Sequence, residues 1–186
     1  VKLDTLTKID TIDEIIVNTD SQRAMDIADK YGVSKKEREP YFASSECTNS
    51  EFFENMAETT DTDYLIYSPC TAPLVKEKTY YDFINRFING IDNGYDSLTT
   101  VNVLKHHMWL NGKPLNYDPK DVGRTQDIEP VILENSGLYI FSVKKYKKNR
   151  SRIGFNPYIK LADKIECWDI DTPEDLKIAN VLGELQ

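Results

Sequence analysis

Apolar residues form two patterns in the first half of the chain, short continuous runs and repeats at helical spacing, and each pattern predicts one kind of element. Two short runs, 12–18 and 63–68, are rich in β-branched and aromatic residues and predict buried strands. Elsewhere apolar residues recur at helical spacing, and Tyr31-Gly32 and Asn93-Gly94 are typical of helix ends. The predicted helices are an amphipathic opening segment to about residue 8, then 22–30, 50–58 and 80–91.

The second half of the chain begins with strands rather than with strand–helix alternation. Residues 96–103 and 107–110 predict two strands, and Asn111-Gly112 between them and the next segment is a hairpin signal. The stretch 115–130 is polar and irregular. Further strands are predicted at 138–141 and 165–169, and a last helix at 173–182. This order predicts an α/β fold with a doubly wound, mostly parallel sheet in one domain, 1–186, and a hairpin-rich inserted segment at about 97–140 that serves as a dimerisation or substrate-capping arm.

Composition narrows the class of protein. The 186 residues suffice for one domain with its own core. The formal charge of −8 argues against a nucleic-acid surface, although basic residues cluster at 35–38 and 144–152, either as solvated patches or as partners for phosphates. The three cysteines are widely spaced and no apolar run has membrane-spanning length, so we expect reduced thiols in a cytoplasmic protein. Adjacent His106 and His107 would point to opposite faces of a strand, which argues against a histidine-rich zinc site.

Two carboxylates near the end of the chain are the strongest chemical signal. Asp169 and Asp171 are one residue apart, where a predicted strand gives way to a capped helix. Alternate side chains of a strand point to the same face, so both carboxylates can converge on one magnesium ion beside phosphates. The alternative is that Asp171 caps the helix. Pro173 suits the first helical position, which makes Thr172 the better cap and leaves Asp171 available.

Six short motifs occur in an order that is typical of one family. They are 15–21 (IIVNTDS), 70–74 (CTAPL), 95–98 (YDSL), 114–117 (PLNY), 125–127 (TQD) and 169–171 (DID). Over nearly its whole length the chain resembles the acylneuraminate cytidylyltransferase family, the CMP-sialic acid synthetases and their relatives. The resemblance implies an enzyme that transfers a cytidylyl group from CTP to a nine-carbon acidic sugar and releases pyrophosphate. It also implies Mg²⁺ as the cofactor and positioning and charge stabilisation as the main tasks of the protein.

The resemblance implies roles for particular residues of the nucleotide site. Asp169 and Asp171 match the catalytic, metal-binding aspartates of the family. Arg38 matches an arginine that meets the nucleotide, although a surface arginine is the alternative. Asn49 and Ser50 match small polar positions near the base or ribose, and helix capping by either is equally compatible with the sequence. The implied nucleotide-binding residues are therefore Arg38, Asn49, Ser50 and Thr71.

For the acidic sugar, the resemblance points to Arg124, Gln126 and Tyr139. Arg124 can pair with the sugar carboxylate through a forked contact, and Thr125 is the alternative occupant of that position because the alignment is loose by one residue. Tyr139 is either a ligand contact or a half-buried aromatic residue of a strand. The segment 101–130 resembles the arm with which family members form a homodimer, and it reaches toward the neighbouring site.

The chain departs from the family pattern in two places. Pro69 and Cys70 stand where many members carry a glutamine just before the threonine that matches Thr71. The strand and the basic, glycine-rich loop that open the family and wrap the CTP phosphates have no counterpart in the first residues. A fragment of a longer polypeptide, a strand supplied by a partner chain, and a non-catalytic relative are three explanations. We therefore expect weak or no turnover from the 186-residue chain.

Rival functions remain open at the sequence level. One is a cytidylyltransferase for a different acidic sugar, such as KDO, legionaminic acid or pseudaminic acid. Another is a non-catalytic oligomerisation or binding module with the same fold. A dinucleotide-binding domain of the Rossmann type is disfavoured, because no GxGxxG motif follows any predicted strand.

Overall fold

The computed structural model describes residues 1–185, and helices and strands alternate over the first part of the chain as the sequence predicts. The helices are α1 (Lys2–Leu6), α2 (Gln22–Tyr31), α3 (Asn49–Glu58), α4 (Glu77–Ile91), α5 (Val143–Asn149) and α6 (Pro173–Glu184), with a 3-10 turn at Pro40–Ala43. The strands are β1 (Ile16–Thr19), β2 (Ser34–Glu37), β3 (Tyr64–Tyr67), β4 (Ser97–Leu104), β5 (Trp109–Leu110), β6 (Lys113–Pro114), β7 (Val131–Ser142) and β8 (Pro157–Leu161).

Four strands form the central sheet in the order β3-β7-β4-β8. β7 is antiparallel to both of its neighbours, whereas β4 and β8 are parallel. β3, β4 and β8 therefore run in one direction. β1 and β2 form a separate parallel pair. This mostly parallel arrangement confirms the predicted α/β class.

β1 and β3 are each paired along one edge only. Among residues 1–185 no strand pairs with the second edge of either, so the two sheets are not joined by a ladder. Ile12 and Ile15, which precede β1, and Ile66 of β3 nevertheless pack against the same hydrophobic cluster. Both sheets therefore rest on one core.

Side chains of β7 alternate between two hydrophobic clusters, one on each face of the central sheet. Leu138 and Ile140 belong to a cluster that includes α4 residues and Leu6 of α1. Phe141 belongs to a second cluster with residues of α3 and α5. Helices thus cover both faces, as a doubly wound sheet requires. No helix within residues 1–185 combines the length and the apolar character needed to cross a membrane.

The segment between β4 and β7, 105–130, leaves the sheet and carries the predicted hairpin. Asn111 and Gly112 have φ values of 50° and 74°, which is the backbone that a tight two-residue turn between β5 and β6 requires. The predicted inserted segment, 97–140, begins inside β4 and ends inside β7. Only its middle part, 105–130, therefore leaves the sheet. Trp109 and Leu110 on the hairpin are 61% and 57% exposed.

The prediction of a last strand at 165–169 is wrong. Residues 164–167 form a turn, and the edge position beside β4 is taken by β8 instead. The cause is Asp163, whose Oδ1 accepts the backbone N–H groups of Ile165 at 2.8 Å and Glu166 at 3.2 Å. The Asp163 carbonyl also accepts the N–H of Cys167 at 3.1 Å. These bonds use the donors that a strand would give to a ladder.

Three elements, β2, α5 and β8, have no counterpart among the predicted ones. β2 is a polar strand, Ser34–Glu37, without the apolar run that predicts a buried strand. α5 buries Val143 and Tyr146 and exposes its lysines, so its sequence is dominated by basic residues. β8 opens with a proline and lies at the edge of the sheet. β1 also begins four residues later than predicted, at Ile16.

Candidate functional site

Four aromatic rings pack together where β3 and β7 lie side by side. Tyr67, the last residue of β3, is paired in register with Tyr139 of β7, and their ring centroids are 6.1 Å apart. Phe53 of α3 lies 4.9 Å from Tyr67 and 6.3 Å from Tyr139, and Phe52 lies 5.9 Å from Tyr67. We call these four rings the aromatic cluster. Edge-on packing of this kind gives a rigid apolar floor at the carboxyl end of a strand, where α/β folds bind ligands.

Arg38, which the family resemblance assigns to the nucleotide, packs on one ring of the aromatic cluster. Its guanidinium carbon lies 4.7 Å from the centroid of Phe52. Its Nε donates to the side-chain oxygen of Asn18 at 3.0 Å, and Nη2 donates to the Asn18 carbonyl at 2.6 Å. These bonds fix a half-buried cation at the carboxyl end of β1.

A second guanidinium, that of Arg152, packs on two other rings of the aromatic cluster. Its central carbon lies 4.9 Å from the centroid of Phe53 and 4.6 Å from that of Tyr139. Nη2 donates to Glu134 at 2.7 Å. Two cations therefore contact the aromatic cluster in a protein whose overall charge is −8. Such local positive charge suits an anionic ligand.

Tyr67 lies where the charged groups of the site meet. Burial raises the pKa of its hydroxyl, and the nearby Cys70 thiol raises it further. The guanidinium groups of Arg38 and Arg152 lower the pKa of Tyr67, whereas the Asp169 carboxylate raises it. Geometry places two predicted residues near the same strand end. Arg38 packs on Phe52, whose ring contacts Tyr67 at the end of β3, and the residue after Asp169 donates its N–H to Thr71, in the turn that follows β3.

The predicted acidic pair lies in an extended segment between the 164–167 turn and α6. Asp169 is half-buried, and its Oδ1 is a buried atom with no hydrogen-bond partner among residues 1–185. Asp171 is exposed, and its side chain makes no hydrogen bond or ion pair within the same residues. Thr172 caps α6 in a capping box with Asp175, which confirms the predicted cap and leaves Asp171 available.

The donor chemistry of this acidic pair fits Mg²⁺. In residues 1–185 no group of three or more histidine, cysteine, aspartate or glutamate side chains is placed to hold a metal ion. Magnesium is commonly held by one or two carboxylates, with phosphate oxygens and water completing its six ligands. Asp169, with a buried oxygen that lacks a donor, and Asp171, with an unengaged carboxylate, supply that minimum.

The predicted turn at 69–74 connects the acidic segment to the end of β3. The carbonyl of Thr71 accepts the N–H of Ile170 at 2.9 Å, so the residue between the two aspartates is tied to the turn. Lys2 of α1 donates to the carbonyl of Ala72 and, at 3.0 Å, to the hydroxyl of Tyr80. Burial lowers the pKa of Lys2 to about 8. The turn is thereby held on both sides.

Of the two small polar residues predicted near the nucleotide, neither caps a helix. Thr48 caps α3 in a capping box with Glu51, so the capping alternative for Asn49 and Ser50 is wrong. Both residues are exposed in the first turn of α3, the helix that supplies two rings of the aromatic cluster. The Ser50 carbonyl accepts the Tyr146 hydroxyl at 2.9 Å.

The structure places the residues predicted for the acidic sugar in two different regions. Tyr139 belongs to the aromatic cluster, is 7% exposed and donates to the Asn135 carbonyl at 3.1 Å. Arg124 and Gln126 lie on the arm. The Arg124 side chain is 81% exposed and pairs with Asp127 at 2.8 Å. Within residues 1–185, no contact joins either arm residue to the aromatic cluster.

Sequence reasoning did not identify Arg152 or Tyr67 as site residues. Arg152 ends the basic stretch 144–152, whose lysines point outward, and nothing in that stretch distinguishes it from its neighbours. Tyr67 resembles any aromatic residue of a buried strand. Its position as the last strand residue before the turn at 69–74 is the signal that could have identified it.

Known proteins were compared with the chain by sequence and by structure. No family model matches it. An N-acylneuraminate cytidylyltransferase of Streptococcus agalactiae is 22% identical over 180 residues, which covers 92% of this chain and 42% of the relative. The chain thus spans about two fifths of the length of that curated relative. Post-translational flagellin modification protein B of Campylobacter coli is 25% identical over 186 residues, covering 90% of this chain and 76% of that protein.

Solved structures match over almost the whole chain. The 4-diphosphocytidyl-2C-methyl-D-erythritol synthase of Anaerococcus prevotii superposes with a TM-score of 0.69 at 16% identity, covering 97% of this chain and 85% of that one. The chain has the fold of the cytidylyltransferases. A CMP:2-keto-3-deoxy-manno-octonic acid synthetase complexed with CTP gives a TM-score of 0.65 at 12% identity, covering 99% and 86%. This shared fold confirms the predicted doubly wound α/β class.

Proposed function

We propose that the chain is a cytidylyltransferase domain that transfers the cytidylyl group of CTP to an acidic nine-carbon sugar of the sialic acid type. The observation that carries the proposal is the arrangement at the carboxyl end of β3, where Arg38 packs on the aromatic cluster and the Asp169–Asp171 segment is tied to the Thr71 carbonyl through the N–H of Ile170. The weak sequence relatives named for N-acylneuraminate and the fold shared with a CTP-bound synthetase support it. The same site suits an enzyme rather than a purely structural module, because Oδ1 of Asp169 and the carboxylate of Asp171 have no partner among residues 1–185.

The proposed reaction is a displacement at phosphorus. An acceptor hydroxyl oxygen forms a bond to the α-phosphorus of CTP, the bond from that phosphorus to the bridging oxygen breaks, and pyrophosphate leaves. The hydroxyl proton passes to water. Asp169 and Asp171 would hold Mg²⁺, which would neutralise charge on the phosphates. Arg38 and the Thr71 turn orient the nucleotide from the side of β1, and Asn49 and Ser50 meet its base or ribose.

The identity of the sugar belongs to the proposal as well. A sialic acid is favoured by the name of the Streptococcus relative. The similarity to a flagellin modification protein and to a 2-keto-3-deoxy-manno-octonic acid synthetase supports other acidic sugars as the alternative. All of these acceptors carry a carboxylate, so the proposed site must recognise one.

Calorimetry and a pyrophosphate assay test the function together. We expect Mg²⁺-dependent binding of CTP and slow release of pyrophosphate that requires CTP, Mg²⁺ and an acidic sugar. ATP and a neutral hexose serve as matched controls. No heat with millimolar CTP and Mg²⁺ would refute the proposal.

Cysteine labelling locates the nucleotide. Cys70 is exposed beside the site, Cys47 is half-buried, and Cys167 is buried with its pKa raised by burial to about 12. With iodoacetamide at pH 8 we expect Cys70 to react first and Cys167 to stay unmodified until the protein unfolds. Added CTP and Mg²⁺ should slow the labelling of Cys70, whereas the same concentration of ATP and Mg²⁺ should not. Mass spectrometry of the peptides measures both rates. Unchanged labelling of Cys70 under saturating CTP would place the nucleotide elsewhere.

A homodimer built through the arm is part of the proposal. Trp109, Leu110 and Leu115 on the arm are each about half or more exposed, at 61%, 57% and 49%. A second copy is the occupant that the family resemblance favours for this apolar surface. In that dimer the exposed Arg124 and Gln126 would contact the site of the other copy. Sedimentation should then give about twice the chain mass of 21.4 kDa.

A further inference from the structure

The loop that carries Arg152 is held firmly against the start of β4. The Asp96 carboxylate accepts the backbone N–H of Phe155 at 3.0 Å and that of Asn156 at 3.1 Å. Ser97 donates from its hydroxyl to the carbonyl of Ile153. Gly154, with φ of 69°, lies so close to Asp96 that a Cβ atom would overlap the carboxylate. A loop fixed by so many bonds presents its side chains in one place.

The guanidinium of Arg152 is held in one orientation, but some of its N–H donors have no hydrogen-bond partner. The rings of Phe53 and Tyr139 hold its plane, and Glu134 accepts from Nη2. Nε is buried without a partner, and Nη1 makes no hydrogen bond within residues 1–185. The side chain is 26% exposed. A guanidinium has five N–H donors and more than one edge, so binding to Glu134 leaves donors for a second carboxylate.

Burial alone lowers the pKa of Arg152, but interactions with Glu134 and Tyr139 together outweigh burial, and the net direction is upward. Arg152 therefore stays cationic at any working pH. Glu134 offsets its charge, but Nε has lost water without gaining a partner among residues 1–185, and such an unsatisfied donor costs free energy.

We propose that Arg152 binds the carboxylate of the acceptor sugar, an inference that rests on the proposed cytidylyltransferase function. Arg124, the residue that the sequence assigns to this role, is highly exposed on the arm and paired with Asp127. Arg152 instead lies on the ring of Tyr139, the one predicted acceptor residue that the structure places in the aromatic cluster.

The position of Arg152 favours the acceptor over the triphosphate. Arg38 stands at the carboxyl ends of β1 and β2, on the side of the Asn18 carbonyl. Arg152 packs instead on Phe53 of α3 and Tyr139 of β7. The two cations thus contact different rings of the aromatic cluster, which suits two different anionic groups.

Binding measurements with matched acids and esters test this assignment. The probes are N-acetylneuraminate and 2-keto-3-deoxy-manno-octonate, each as the free acid and as the methyl ester, added to the 186-residue chain and followed by NMR. We expect the unmodified chain to prefer the acid. Arg152→Met should lose about 10- to 100-fold in affinity for the acid and change little for the ester, since a charge-assisted forked contact is worth about 1.5–3 kcal/mol.

Arg150→Met is the matched control, because Arg150 lies two residues away and pairs with Glu54 rather than with the aromatic cluster. Arg152→Lys should recover only part of the affinity, since it keeps the charge and loses the fork. Equal losses for acid and ester would mean that Arg152 only packs, and would overturn the inference. Loss of acid binding in Arg124→Met but not in Arg152→Met, or no binding of either acid, would also overturn it. CTP calorimetry on the same variants separates these results from a failure of the proposed function.

Discussion

Replacing Asp169 with asparagine is expected to lower the rate of pyrophosphate release by about 100-fold or more, because removing one preorganised charge from a phosphoryl-transfer site typically has this effect. The free energy of unfolding should rise or stay unchanged. Oδ1 of Asp169 is buried without a hydrogen-bond donor among residues 1–185, so the ionised side chain costs free energy in the ligand-free fold. Function and stability thus make opposite demands on one side chain.

The comparison requires labelled CTP under single-turnover conditions, since turnover of this chain is expected to be slow. Thermal unfolding with and without CTP and Mg²⁺ gives a second readout. The unmodified chain should be stabilised by the two ligands together, and Asp169→Asn should not. Asp61→Asn is the control, because Asp61 is exposed and precedes β3, at the opposite end of that strand from the site. Unchanged Mg²⁺ dependence in Asp169→Asn would show that the metal, if any, is held elsewhere.

The sequence predicted correctly those elements that are stabilised by residues close to each other in the chain. Asn111-Gly112 forms the predicted turn, since its two positive φ angles depend on these residues alone. Thr172 caps α6 and Pro173 opens it, as expected from their chemistry next to an apolar repeat. The α3 helix was predicted within one residue of its start. In each case the stabilising partner lies within four residues along the chain.

Features that depend on distant partners were missed. The 165–169 run is apolar enough for a strand, but Asp163 turns the backbone and β8 already occupies the edge of β4. Arg152 gains its place from Phe53, about one hundred positions away in the chain, and from a loop tied to Asp96. No pattern of neighbouring residues encodes such contacts, because they form only after the sheet and α3 have packed.

The acidic segment itself depends on one glycine of β7, and this gives the second large expected effect. A Cβ atom on Gly137 would overlap Sγ of Cys167 and lie 2.9 Å from Oγ1 of Thr100 and 3.2 Å from Oδ1 of Asn135. These neighbours cannot move easily. Thr100 donates to Asn135 at 2.6 Å, and Asn135 accepts the N–H of Gly137 at 3.0 Å, all of them buried. The glycine is therefore required by space rather than by backbone angle.

Gly137→Ala is expected to lower the free energy of unfolding by about 3 kcal/mol, at the upper end of the usual cost of overpacking. Urea denaturation measures the loss, and Gly123→Ala is the control, because its Cβ would meet only Ile128 at 3.9 Å. Adding Cys167→Ala should restore part of the stability of Gly137→Ala by removing the sulfur. Because Cys167 precedes Asp169 by two residues, any folded Gly137→Ala protein should also bind CTP and Mg²⁺ more weakly. An unchanged urea midpoint would mean that β7 and the acidic segment are less closely packed than their distances indicate.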